Sequence, residues 1–227
     1  MKYTLGKSVQ GRDIFGYAIG DPKEENKILI IGCIHGVEPQ SKDFCNFFLK
    51  EIENLEWNKE SFLIVIPCLN PDGLVLKTRQ NANGVDLNRN FPSKSWTPIP
   101  QASKNKSSNS PYYPGIGPAS EPETKAIINL LKKYYFKTVI GIHTNHFIEN
   151  PNPPMVNYDG KHSLELANKI SKVSNLPVHK DVGYPTPGSL GGYIGIDLNK
   201  ISITIELDDK NDSDTLYKEH GKMFSVI

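Results

Sequence analysis

His35 and Glu38, separated by Gly36 and Val37, can turn their side chains onto a single ion. A second imidazole, His143, would complete a His/Glu/His set, the donor number that catalytic zinc commonly takes while keeping a position open for water. Alone, an H-x-x-E pair fits equally well an exposed His and Glu beside a helix start. What favours metal is that both His35 and His143 close short apolar runs of strand length. His146 competes with His143 but lies further from that run. Glu206 sits inside Ile203-Thr204-Ile205-Glu206-Leu207. A carboxylate in a buried strand is costly unless it is paired or neutralised. It is either half of a structural ion pair or a site-facing group with a raised pKa that moves a proton. A metal site on the same sheet edge favours the second reading.

A third constellation is Arg79-Gln80-Asn81-Ala82-Asn83-Gly84-Val85-Asp86-Leu87-Asn88-Arg89-Asn90-Phe91-Pro92. The planar guanidinium fork suits carboxylates, so this loop can hold an anionic substrate and an oxyanion. Composition alone would favour an ordinary Asn/Asp/Gly turn cluster.

The elements that must position these groups follow from periodicity. Residues 7–9 and 14–18 flank the turn Gly11-Arg12-Asp13 and read as a hairpin. Residues 27–33, 62–67, 138–143 and 201–207 read as buried strands. Helical spacing marks residues 41–55, with Phe44, Phe47, Phe48, Ile52 and Leu55 on one face, and residues 121–135, with Pro122 near the first turn. Residues 163–174 form a further amphipathic helix, and 215–224 a short closing one. Between Asn70 and Ser120 runs a polar stretch, longer than structureless loops usually are unless they are functional or disordered. Strands alternating with helices predict a single α/β domain over residues 1–227, with a mixed, mostly parallel twisted sheet flanked by helices. In such sheets functional groups gather beyond the carboxyl ends of the strands, where His35, His143 and Glu206 fall.

A length of 227 residues suffices for a sizeable core, and 37% hydrophobic with 22% charged residues describes an ordinary globular protein. The net charge of +1, with no basic stripe, argues against nucleic acid or an anionic membrane as partner. No run approaches the roughly 18 apolar residues of a bilayer span. The opening Met1-Lys2-Tyr3-Thr4-Leu5-Gly6 lacks the apolar stretch of a secretory signal, so a cytoplasmic location is expected if this is the whole gene product. Cys33, Cys45 and Cys68, an odd set without a CxxC pair, are expected as free thiols packed as small hydrophobes.

Together, His35-Gly36-Val37-Glu38, Gly84-Val85-Asp86-Leu87-Asn88-Arg89-Asn90-Phe91, Ile142-His143 and Thr204-Ile205-Glu206-Leu207 resemble the zinc carboxypeptidase family of the carboxypeptidase A type. Each piece is weak alone, whereas their order and spacing over most of the chain are specific. His35-Gly36-Val37-Glu38-Pro39-Gln40-Ser41 and Tyr184-Pro185-Thr186-Pro187-Gly188-Ser189-Leu190-Gly191 resemble a bacterial branch, the murein peptide amidases A. Those enzymes release meso-diaminopimelate from its γ-D-glutamyl amide in cytoplasmic murein peptides during cell-wall recycling.

The resemblance implies one zinc ion held by His35, Glu38 and His143. It implies Glu206 as general base and acid, and Arg79 at the oxyanion. Asn88 and Arg89 would hold the substrate's terminal carboxylate, and Asp86 would orient His35. Val37 departs from the aspartate common there, and as a non-ligand it should be tolerated. The family's substrate-capping tyrosine has two counterparts, Tyr184 and Tyr193, of which Tyr184 is taken as the substrate-binding one. The implied partner is a small murein tripeptide, with a homodimer left open. A pocket for diaminopimelate should offer both charge signs, and Asp208 or Asp209 is expected to meet its ammonium. The alternatives are a carboxypeptidase for ordinary α-peptides, a zinc deacylase of the aspartoacylase or succinylglutamate desuccinylase type, and a non-catalytic murein-peptide binding module.

Overall fold

The computed structural model describes residues 1–52, 60–101, 107–145 and 153–227. Eight strands form one sheet in the order β1-β2-β4-β3-β5-β8-β6-β7. The central strands β4 (Ser61–Ile66), β3 (Asn26–Ile31), β5 (Thr138–Thr144) and β8 (Ile201–Leu207) run parallel, as their near-continuous apolar sequences require when both faces are covered. Antiparallel pairings enclose this centre. The hairpin β1 (Lys2–Lys7) and β2 (Asp13–Ile19) docks on β4, and β6 (Met155–Asp159) docks on β8 with the short β7 (Val178–His179) beyond it. The expected mixed sheet is therefore present. The hairpin's first strand begins at Lys2, upstream of the expected 7–9, because Lys2 to Thr4 pair with Tyr17 to Phe15.

Side chains alternate across each strand, so one strand feeds two cores. On one face Ile28, Ile30, Ile140, Ile142, Ile203 and Ile205 pack under α1 (Pro39–Glu51), α4 (Leu164–Ser174), α5 (Ser213–His220) and the 3-10 turn Gly221–Val226 that follows. On the other, Leu29, Ile31, Ile64, Ile66 and Val139 meet α3 (Pro122–Lys133) and the buried Leu87, Phe91, Leu190 and Ile194. The same alternation sends His143 and Glu206 to this second face, because their neighbours Ile142 and Ile205 belong to the first.

Helix α1 begins at Pro39, two residues before the expected start, since Glu38 takes the N-cap and proline suits the first turn. Residues 53–55 of the expected helix lie outside the described residues. Within the long polar stretch the chain forms α2 (Pro71–Leu76) and a 3-10 turn at Leu87–Arg89. Asn70 caps α2 through Gly73 N, and Asp86 caps the 3-10 turn through Asn88 N. These side-chain caps make order from residues that read as turn formers. Cys33, Cys45 and Cys68 are free, as expected. Among the described residues no helix is long and apolar enough to cross a membrane.

Candidate active site

The parallel strands β3, β5 and β8 end at a common edge. Beyond it lies a cleft lined by His35, Glu38, His143, Glu206, Arg79, Asn88, Arg89 and Tyr184 among others. Seven of these were expected at the site from the sequence, together with Tyr184, and the fold brings all of them to one cavity.

The loop after β3 is held rigidly. Ser41 Oγ accepts from Cys33 N at 2.9 Å and donates to Glu38 O at 2.7 Å, closing the turn that carries His35. Gly36 packs so tightly on α2 that a Cβ there would fall 1.9 Å from Gly73 C, so only glycine fits. Asn70 Nδ2 donates to Ile34 O at 3.2 Å, and its Oδ1 caps α2, linking the ligand loop to the segment leading to Arg79.

Glu38 lies between two imidazoles, with Oε1 2.6 Å from His35 Nδ1 and Oε2 2.9 Å from His143 Nδ1. All three side chains are buried, and their ligand atoms lie within 4.8 Å of one another. Burial alone would raise the Glu38 carboxyl. The two imidazoles outweigh it and hold the group well below the usual carboxylate range. Two neutral-capable nitrogens and one anionic oxygen, convergent and withdrawn from solvent, are the donor chemistry of a three-ligand zinc site. The opposite ring nitrogen of His35, Nε2, faces Asp86 Oδ1 at 3.2 Å. That contact fixes the ring and leaves Nδ1 toward the metal position. His146 lies outside the described residues.

Asp86 is fully buried and joins the two sides of the cleft. Its Oδ1 meets His35 and the Asn88 N–H, and its Oδ2 accepts from Arg79 Nε at 3.0 Å. Burial opposes its ionisation, but Arg79, His35 and Arg89 keep it a carboxylate. Arg79 is thereby anchored with its remaining guanidinium nitrogens available to the cleft, and Tyr112 lies 4.9 Å from its centre.

Arg89 differs. Its Nη1 donates to Asn88 O at 2.6 Å, while Nε and Nη2 are buried without a hydrogen-bond partner among the described residues. Two orphaned donors on a buried cation are expensive and imply an anionic ligand. Asn88 Oδ1 accepts from Leu190 N at 2.9 Å, so its Nδ2 is the atom left for the cleft. The segment around Leu190 docks through Gly188, whose φ of +70 and 2.3 Å approach of a built Cβ to Arg89 O both demand glycine.

Glu206 stands directly across from His143 in the β5–β8 register. Burial, assisted by the Glu38 charge, pushes its carboxyl up to about 7, while His143, Arg79 and Arg89 pull the other way. A carboxyl tuned near neutrality can both take and return a proton.

Of the two tyrosines, Tyr184 lines the cleft, with Arg89 5.8 Å from its ring. Tyr193 instead packs with Phe91 in the second core, at 6.3 Å between ring centroids, and is not among the lining residues. Asp208 and Asp209 do not line the cleft either, since the chain turns away after β8 and Gln40 Nε2 donates to Asp209 O. The lining does carry both charge signs, through Lys180, Asp181 and Asp159. Asp159 lies on β6, which no sequence expectation covers. The available signal was the short run Met155-Val156-Asn157-Tyr158-Asp159 before Gly160.

The sequence profile of zinc carboxypeptidases matches residues 1–219. Murein peptide amidase A of Vibrio campbellii is 32% identical over 209 residues, spanning 90% of this chain and 78% of that protein. Murein peptide amidase A of Escherichia coli K12 is 38% identical over 146 residues, or 63% of this chain and only 56% of the relative. The crystal structure of the murein-tripeptide amidase MpaA from Escherichia coli O157 superimposes with a TM-score of 0.78 at 28% identity, over 99% of this chain and 90% of that one. With a matching profile over nearly its whole length and a convergent buried His/Glu/His group, the chain belongs to the zinc carboxypeptidase family.

Proposed function

We propose that residues 1–227 act as one catalytic domain, a zinc-dependent amidase that cleaves the γ-D-glutamyl–meso-diaminopimelate bond of murein peptides. The observation that carries this reading is that one cleft combines a His/Glu/His group and a buried glutamate beside it with a buried guanidinium that has two vacant donors. That is the layout of an exopeptidase, in which a carboxylate is gripped beyond the bond to be cut. The likeness to murein peptide amidases supports the substrate.

Bound zinc would supply Lewis acidity toward the carbonyl and make a water molecule more acidic. His35, Glu38 and His143 would hold it, and Asp86 would keep the His35 ring in place. Arg89 and Asn88 Nδ2 bind the terminal carboxylate, which orients the amide over Glu206. Glu206 removes the proton from the attacking water. Arg79 donates hydrogen bonds to the carbonyl oxygen as negative charge develops there. Glu206 then delivers the proton to the departing amine nitrogen. Tyr184 closes over the substrate from the Arg89 side and limits water entry.

The direct test is turnover of L-Ala-γ-D-Glu-meso-diaminopimelate, followed by mass spectrometry with and without chelation and zinc re-addition. Release of free diaminopimelate that returns with zinc is expected. Bound zinc without release would reassign the site to α-peptides or acyl-amino acids. We extend the reading to cytoplasmic cell-wall recycling, which cell fractionation checks by locating the protein with the soluble cytoplasmic fraction.

A further inference from the structure

Among the described residues, none between Asn90 and Ser120 lines the cleft, yet part of this stretch is clamped onto the charged residues that do. Gln80 Nε2, next to Arg79, donates to Ser110 O at 3.3 Å, and Asp86 N donates to Tyr113 O at 2.8 Å. Asn90 Nδ2, next to Arg89, donates to Pro114 O at 2.8 Å. Residues 110–114 are thus tied to an immediate neighbour of each guanidinium and to the carboxylate residue between them.

These ties set the position of the Tyr112 ring. Tyr113 N donates to Ser110 O at 3.0 Å and Tyr112 N to Ser110 Oγ at 3.3 Å, which folds the segment into a turn on the fully buried Ser110. The central guanidinium carbon of Arg79 lies over the Tyr112 ring at 4.9 Å from its centroid, and that of Arg89 at 5.7 Å. The Tyr184 ring is 6.2 Å away, centroid to centroid. One half-buried ring therefore meets both arginines and the cleft tyrosine from behind.

The two cations differ in what balances them. Arg79 has Asp86 Oδ2 at 3.0 Å, whereas Arg89 forms no ion pair among the described residues and keeps two orphaned donors. Like charges held close together repel, and the negative face of an aromatic ring attracts both. Both guanidiniums lie inside the roughly 6 Å over which that attraction acts.

We propose that Tyr112 is a positioning residue whose ring face holds the guanidiniums of Arg79 and Arg89 in one fixed arrangement, so that the oxyanion contact and the carboxylate grip act together on one substrate. The proposal rests on the reading of the cleft as an exopeptidase site and deepens it. Tyr112 acts only through the two arginines and touches no reacting atom.

The test follows the ring rather than the residue. In Tyr112→Leu, kcat/KM for the murein tripeptide should fall about 30-fold, with kcat lowered through Arg79 and KM raised through Arg89. Tyr112→Phe, which keeps the ring, should stay within about threefold of wild type. Phenylalanine carrying one, two or three fluorines at position 112 keeps the shape and drains negative charge from the ring face, so kcat/KM should fall at each step. Thermal unfolding and zinc content check that every variant is folded and loaded. A level fluorine series overturns the proposal, as does a Tyr112→Leu enzyme with wild-type kcat and KM. If the zinc-loaded wild type cleaves no peptide, the exopeptidase reading fails, and NMR of the arginine Nε–H groups still judges Tyr112. Solvent exchange of the Arg79 and Arg89 Nε protons that quickens with each fluorine supports the role, and constant exchange overturns it.

Discussion

Two regions of this protein bury charge, and they do so in opposite ways. Beneath the N-terminal hairpin, Asp72 is fully buried and accepts from Ser8 Oγ, Gln10 N and Arg12 Nη1 at 2.6 to 2.9 Å. Nearby, Asn81 Nδ2 bridges Glu121 and Glu123, and Asn83 Nδ2 adds a second donor to Glu121. In the cleft, by contrast, Arg89 holds two orphaned donors and Asp159 an unpaired carboxylate, and Glu206 relies on burial. The first region uses buried polarity to pin a hairpin and a loop to the sheet. The second leaves polarity unsatisfied where a metal and a substrate can satisfy it. Unpaired charged groups, rather than buried charge as such, mark the working end of the molecule.

Damage to the cleft should therefore remove activity and spare the fold, and damage under the hairpin should do the reverse. The largest effect is expected from His143→Ala, which should abolish turnover together with stoichiometric zinc, read by metal analysis of the purified protein. Glu206→Gln should come next, lowering kcat about 10³-fold with zinc retained, since general acid–base catalysis contributes on that scale. An active Glu206→Gln enzyme would remove the proton-transfer role. Arg89→Ala should cost about 100-fold in kcat/KM, mostly in KM, as expected for a charge-assisted contact of roughly 3 kcal/mol. Because two orphaned donors disappear with it, its melting temperature should hold or rise. Asp86→Asn sharpens the comparison, since Asp86 serves both the fold and the site. Zinc affinity should drop about 10- to 100-fold in a competition titration with a chelator. At the far end, Asp72→Asn should leave kcat/KM unchanged while lowering stability by about 1–3 kcal/mol in denaturant unfolding. Loss of activity without loss of stability in that variant would dissolve the distinction.

Much of this was legible in the residues themselves. Continuous apolar runs located the four parallel strands, and helical spacing located α1, α3 and α4 to within a few residues. His35, His143 and Glu206 could be named because a buried strand that ends in His or contains Glu breaks its own apolar rule, whereas Arg79, Asn88, Arg89 and Asp86 were named only through the family resemblance. The hairpin's register, α2 and β6 were less legible. Short elements carry little periodicity, and α2 is built from a capping Asn and a Pro that read equally well as loop formers.

The choice between Tyr184 and Tyr193 illustrates the boundary. Both tyrosines sit in the same stretch of chain, and nothing local separates them. Docking of Gly188 and Leu190 on the Asn88–Phe91 turn leaves Tyr184 at the cleft and turns Tyr193 into the core. Asp159 shows the same limit, because its place in the cleft comes from the antiparallel pairing of β6 with β8, segments far apart in sequence. Residue types and their local spacing determined the fold class and marked His35, Glu38, His143 and Glu206 as candidates for metal and proton chemistry, because a polar residue that ends or interrupts an apolar run is visible in the chain itself. Which loops face the cleft, and which buried charges remain unpaired there, depends on contacts between distant segments, and only the tertiary structure decided it.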